Sequence, residues 1–257
     1  MDNKINVTVL ITTFNRAELL KRCLLAALKQ NFKSYEILVV DDCSSDNTSE
    51  LIDELIKEYP DRIRFISKAS NCGLAHSRNL GLRNAKGKYI SFLDDDDFWL
   101  TSDVLIEQYK KASIGKIVCG SVRNSEGRIL TKILPNDWKS RLVYRNGFIH
   151  TSSVMIAKED IHLAGGFDEK MSRGIDSDLY RRMVFQFDVG IAFVPLVLSH
   201  YELGSANRIT TKKRSKLKKA IFIKETMYVL FKYRFLVYKY PLEYFKRCLI
   251  SLKYILR

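Results

Sequence analysis

Tyr89-Ile-Ser-Phe-Leu-Asp94-Asp95-Asp96-Asp97-Phe98-Trp99 decides the reading of the whole chain. A short apolar run ends in four consecutive carboxylates, and two aromatics follow. An acidic run is usually a solvated turn. Here it closes a strand-like segment, which is where open α/β sheets place their ligands. Bulky apolar residues flank it on both sides. Both features favour a metal or nucleotide site over a surface loop.

The segments before it have the same form. Ile5–Thr12 is rich in β-branched residues and reads as a buried strand, with Thr13-Phe14-Asn15 as the turn after it. Residues 16–30 carry Leu19, Leu20, Cys23, Leu24, Ala27 and Leu28 on one helical face, with Asn15 expected as the N-cap. Tyr35–Val40 is a second strand and runs into Asp41-Asp42. Asn47-Thr-Ser-Glu50 has the form of a capping box, opening a helix that Pro60-Asp61 ends. Arg62–Ser67 is a third strand, and a helix over 74–85 leads through Gly87 into the opening stretch. Strand–helix alternation with crossovers of this length predicts a parallel sheet. Its carboxyl edge would gather Thr12-Thr13, Asp41-Asp42 and Asp94–Asp97.

The second half is less regular. Residues 103–112 read as helix, with strands at 117–118, 129–134, 148–156 and 191–194. Further helices are expected from 158 to 164 and from 176 to 187, separated by the tight turn Gly165-Gly-Phe-Asp168. Lys218–Tyr240 reads as helix, with Pro241 breaking or restarting it.

The chain has 257 residues, 46% of them hydrophobic, enough for a substantial core. Its charge of +14 is uneven: residues 201–257 hold 15 Lys/Arg against 3 Asp/Glu, and residues 1–200 hold 28 against 26. The basic, aromatic end suggests an interfacial segment against an anionic membrane, in which Lys and Arg snorkel. The alternative is that it packs on the body with its charges in water. No nucleic-acid motif accompanies the charge, so nucleic acid is not expected as a partner. Cys23, Cys43, Cys72, Cys119 and Cys248 are scattered with no C-x-x-C spacing, and read as reduced thiols in a cytoplasmic protein. Met1-Asp-Asn-Lys leads straight into a strand, so no signal peptide is expected. No uncharged apolar run of about 18 residues exists to span a bilayer.

Six stretches, in this order, resemble one family. They are Val9–Arg16, Ile37–Asp42, Asn71–Gly81, Gly87–Asp97, Gly165–Asp168 and Asp176–Arg182. Together with Ser153–Ile156 they are similar to the inverting family 2 glycosyltransferases of the GT-A fold, over about residues 5–205. The resemblance implies an α/β fold with a mixed, mostly parallel sheet flanked by helices. Residues 1–100 would be the nucleotide-binding half and 101–205 the acceptor half of a domain spanning 1–205. Residues 206–257 would be an appended tail of basic amphipathic helices.

The resemblance also implies roles. Thr12, Thr13 and Asp42 would hold a uracil ring, and Arg78 would reach the base and phosphates. Asp94 and Asp95 would serve the nucleotide sugar, with Asp95 on the ribose, and Asp96 would bind Mn²⁺ or Mg²⁺; four acids in a row admit a shift of one residue. Asp97 would support these groups or cap the next helix. His200 is a further metal ligand in this reading, or else a packing residue. Asp176 would be the general base, with Asp178 as the alternative, since Ile175 stands where the family usually has an acid. Arg182 would reach a carboxylate or a phosphate. The implied reaction moves a hexose, glucose or galactose, from a UDP-sugar to a saccharide on a prenyl diphosphate. That would leave a β-linkage in bacterial O-antigen or other surface polysaccharide, at the inner face of the cytoplasmic membrane. A nucleotidyltransferase is the competing enzyme reading, although Thr12–Arg16 lacks the glycine of such phosphate loops. A non-catalytic module binding anionic surfaces is the other.

Overall fold

The computed structural model describes residues 5–144, 147–202 and 216–256, the last group as backbone only at 216–222 and 252–256. The expected domain boundary near residue 205 and the basic run to residue 215 lie outside the described residues, as do the side chains of Leu217 and Ile221.

The first half alternates as the sequence implies: β1 Val7–Thr13, α1 Ala17–Leu28, β2 Tyr35–Asp41, α2 Thr48–Glu58, β3 Ile63–Ser67, α3 Leu74–Asn84 and β4 Tyr89–Phe92. These strands pair in parallel in the order β3-β2-β1-β4. Every residue of β1, β2 and β4 is buried, as expected of strands covered on both faces. Gly87 allows β4 to enter beside β1. A Cβ there would lie 2.3 Å from the Thr8 backbone nitrogen, so no side chain fits.

The second half continues with β5 Phe98–Trp99, α4 Val104–Lys111, β6 Lys116–Asn124, β7 Ile129–Leu130, α5 Trp138–Tyr144, β8 Met155–Ala157, α6 Lys158–Leu163, α7 Ile175–Gln186 and β9 Gly190–Tyr201. The sheet extends through β8, β6, β9 and β5, with β7 paired to β6. β8 is antiparallel to β4 and to β6, whereas β9 runs parallel to β6. The result is the expected mixed, mostly parallel sheet with helices on its faces. Among the described residues three helices follow: α8 Lys216–Lys232, α9 Leu236–Lys239 and α10 Pro241–Leu256. Val229, Tyr233 and Leu236 join the hydrophobic cluster that also contains Leu179 and Met183 of α7. No helix among the described residues is long and apolar enough to cross a membrane.

Several local expectations are corrected. Asn15 does not cap α1: its φ is +53°, and its side chain accepts from the Ser45 amide at 2.7 Å. Asn47 makes no side-chain cap bond either. Asp46 ties both helix starts instead, accepting from the Ala17 amide at 3.1 Å and the Thr48 amide at 3.2 Å. The expected strand over 148–156 is a 3-10 turn at Thr151–Ser153 followed by the short β8. β7 is two residues long, not six. Pro241, by contrast, restarts the helix as expected: it opens α10, a place where its missing amide hydrogen is not needed.

Candidate active site at the carboxyl ends of the strands

A cavity of about 1170 Å³ opens at the carboxyl ends of β1, β2 and β4. Thr12, Thr13, Asp42, Arg78, Asp94, Asp95, Asp96 and Asp176 all line it, so residues from both halves converge on one space. Arg182 and His200 do not.

The centre of the wall is Arg78. It projects from α3, only 3% exposed, and hydrogen-bonds Asp94 at 2.6 Å and Asp176 on the opposite wall. Its guanidinium lies over Phe167 at 5.2 Å and Phe92 at 5.9 Å, while those two rings meet edge to face. The aromatic platform fixes the fork and adds cation–π attraction. Asp176 sits in the first turn of α7.

The four aspartates have four different environments. Asp94 leans on Arg78. Asp95 accepts from the Thr13 hydroxyl at 2.8 Å and from Arg16 at 2.8 Å. Asp96 lies 3.3 Å from Arg16, and its carbonyl accepts from Arg22 at 2.8 Å. Asp97 turns inward, 1% exposed, to the Ser152 hydroxyl at 2.5 Å and the Glu202 amide at 2.9 Å. It therefore braces the loop and caps no helix, since α4 begins only at Val104. Burial and neighbouring carboxylates push Asp94 up to about 6, against the pull of Arg78. Burial and Asp96 push Asp95 up to about 6, against the pull of Arg16.

The carboxylates bear on a metal. Among the described residues no three His, Cys, Asp or Glu side chains close around one point. The lining offers Asp94, Asp95 and Asp96, which are hard oxygen donors. Such a set fits Mg²⁺ or Mn²⁺ held by one or two carboxylates together with substrate phosphates, which is how these ions are commonly bound.

Asp42 is held as well as exposed to the cavity. It pairs with Lys68 and accepts from the Cys72 amide at 3.0 Å and the Gly73 amide at 2.8 Å. It thus also ties the end of β2 to the start of α3. His200 lies inside β9, because that strand runs on to Tyr201. It stacks on Phe98 with centroids 4.6 Å apart, its Nε2 3.6 Å from Glu202, and so packs beside the acidic loop without reaching the cavity. Arg182 does reach a carboxylate, Asp178, at 2.9 Å. Its other nitrogens are spent on the carbonyls of Ala164 and Gly166, and it is 7% exposed. Asp178 is fully buried, so of the two α7 acids only Asp176 faces the cavity.

Sequence reasoning misses Arg16, Lys68, Ser152 and His150. Arg16 and Lys68 each lie within three residues of a strand's carboxyl end, so the same edge rule finds them. His150 lines the cavity with Nε2 buried and unpartnered; burial lowers its imidazole to about 4, so it is neutral at pH 7. Its place depends on a turn that no period in the sequence marks.

The sequence pattern of glycosyl transferase family 2 matches residues 8–161. Glycosyltransferase GlyA of Streptococcus pneumoniae serotype 4 is 36% identical over 151 residues, covering 57% of this chain and 21% of that protein. Chondroitin synthase of Escherichia coli is 29% identical over 182 residues, covering 69% of this chain and 26% of that one. The chain thus spans about a quarter or less of these two relatives. Among solved structures, the mannosyltransferase PcManGT from Pyrobaculum calidifontis, in complex with GDP-Man and Mn²⁺, superposes with a TM-score of 0.63 at 20% identity, over 89% of this chain and 64% of that one. TarS 1–349 of S. aureus in complex with UDP-GlcNAc gives 0.63 at 15% identity, over 88% and 66%. These likenesses establish the GT-A fold. With the family pattern spanning more than half of its residues, the chain belongs to glycosyl transferase family 2.

Proposed function

We propose that this chain is a metal-dependent inverting glycosyltransferase. It moves a hexose, glucose or galactose, from a UDP-sugar to a saccharide carried on a prenyl diphosphate, in the assembly of a bacterial surface polysaccharide such as O-antigen. The observation that carries this reading is the opposition of Asp176 to the acidic wall across Arg78 in one cavity. In this reading Asp42, Thr12 and Thr13 receive the uracil, and Asp95 takes the ribose. Asp96 would hold the Mn²⁺ or Mg²⁺, and Asp94 serves the nucleotide sugar. That ion would neutralise charge on the departing diphosphate. Asp176 accepts the proton of the acceptor hydroxyl as its oxygen attacks the anomeric carbon. Arg78 holds and aims Asp176, and itself faces the phosphates. One displacement from the face opposite the diphosphate converts an α-linked donor into a β-linked product. UDP released from UDP-glucose or UDP-galactose with Mn²⁺ and a prenyl-diphosphate-linked saccharide tests the reading. Pyrophosphate released from UTP and a hexose 1-phosphate would support a nucleotidyltransferase instead.

The C-terminal helices carry the membrane part of this reading. Every exposed residue from 223 to 250 is apolar, aromatic or basic. Ile223, Met227 and Phe231 form one stripe on α8, and Leu242, Phe245 and Leu249 another on α10, with Lys224, Arg234 and Lys246 also exposed. Both acids of this stretch, Glu225 and Glu243, are half-buried. This pattern suits an anionic bilayer surface, as for a peripheral protein at the inner face of the cytoplasmic membrane. Sedimentation with phosphatidylglycerol vesicles should be lost in the Phe231→Glu, Phe245→Glu double variant and should weaken with salt. Undiminished binding by that variant would remove these stripes from the contact.

A further inference from the structure

We propose that α8 braces the helix that carries Asp176. Tyr233 and Lys232 are positioning residues that act through Asp178. The inference rests on Asp176 as the base. Successive residues of an α-helix are about 100° apart, so Asp176 and Asp178 point to nearly opposite sides of α7. Asp176 faces the cavity, and Asp178 is fully buried on the far side.

A buried carboxylate is costly unless its partners are well placed. Asp178 has three. The Tyr233 hydroxyl donates to Oδ1 at 2.7 Å, Lys232 Nζ lies 2.9 Å from Oδ1, and Arg182 Nε donates to Oδ2 at 2.9 Å. The same Tyr233 hydroxyl lies 2.9 Å from the Asp178 carbonyl, so it grips the α7 main chain too. Two of the three partners come from the C-terminal helical segment, more than fifty residues away in sequence. Lys232 Nζ also reaches Asp168 at 2.7 Å, and the Tyr228 hydroxyl donates to the same oxygen at 2.8 Å. Asp168 closes the turn whose Phe167 supports Arg78. One helix therefore holds both the base helix and the platform under the arginine that orients the base.

Apolar packing alone could seat this segment, and Val229 of α8 and Leu236 of α9 already do so. It would not fix the rotation of α7 about its axis. Charge-assisted hydrogen bonds are directional and do fix it. A rotation of α7 would swing Asp176 away from Arg78 and from the acceptor oxygen.

The full-length Tyr233→Phe and Lys232→Met variants test this, with Lys232→Arg as the conservative control. Amide hydrogen exchange should rise about tenfold in the first turn of α7 while amides of β1 to β4 are unaffected, as for a local opening. Turnover of UDP-glucose, with Mn²⁺ and a prenyl-diphosphate-linked saccharide, should fall about ten- to a hundredfold in kcat with little change in KM for the donor. Lys232→Arg should recover most of the rate. Combined with Asp176→Asn, neither variant should lose more than Asp176→Asn alone, because all act through one group. Unchanged exchange in α7 overturns the proposal, as does a uniform rise throughout the sheet or full additivity with Asp176→Asn. Wild-type turnover by Asp176→Asn would instead overturn the base assignment, while the exchange result would still decide whether α8 braces α7.

Discussion

Replacing Asp176 by asparagine is expected to lower kcat by about a hundred- to ten-thousandfold, the range for losing a positioned general base. The substitution is nearly isosteric. The carbonyl oxygen of the introduced amide can still accept from Arg78, so the wall should stay in place. Donor affinity should change little, because in the proposed arrangement Asp176 meets the acceptor and not the nucleotide. Steady-state kinetics at saturating donor, with circular dichroism to establish folding, measures this. A rate within a few-fold of wild type would remove Asp176 from proton transfer.

Arg78→Met should have the largest effect on the fold and the site together. Methionine approximates the length of the stem and can rest on Phe92 and Phe167, so the packing loss is small. The electrostatic loss is not. Asp94 and Asp176 lose the cation they share, and Asp94 is already pushed up to about 6 by burial and by Asp176. Removing one partner of a buried pair costs about 3–5 kcal/mol. Both carboxylates keep some water, with 33% and 24% side-chain exposure, which argues for the lower end. The melting temperature should fall on the order of 10 °C, given the usual slope for a chain of this size. Activity should be lost as well, since the base loses its orienting group. An unchanged melting temperature would mean that water already screens the pair.

Much of the first half was legible because parallel sheets write themselves plainly. Each buried strand is a continuous apolar run, each crossover helix has a stripe, and the polar residues at the strand ends fall at the ligand edge without further information. Thr12, Asp42 and Asp94–Asp96 reach the cavity for that reason. What failed was decided by contacts distant in sequence. Asn15 and Asn47 have N-cap chemistry, but Asp46 reaches both helix starts and Asn15 is drawn to the Ser45 amide. The apolar pattern puts His200 past the end of a strand that in fact runs through it. Arg182 has the right spacing for the site and the wrong direction, since its fork is used by Asp178 and two carbonyls of the preceding turn. The choice between Asp176 and Asp178 needed two partners of Asp178, Lys232 and Tyr233, which lie outside the stretches that carry the family resemblance.

The central claim is that the carboxylate wall and Asp176 together transfer a sugar from a nucleotide donor with a divalent ion. Its most direct test is UDP release from UDP-glucose and UDP-galactose, titrated with Mn²⁺ and a prenyl-diphosphate-linked saccharide, in wild type and in Asp96→Ala. The expected result is metal-dependent release with matching appearance of β-linked product, and its loss in folded Asp96→Ala. Undiminished turnover by Asp96→Ala would contradict the metal assignment. Absence of turnover with every donor, or pyrophosphate release from UTP, would contradict the reaction itself.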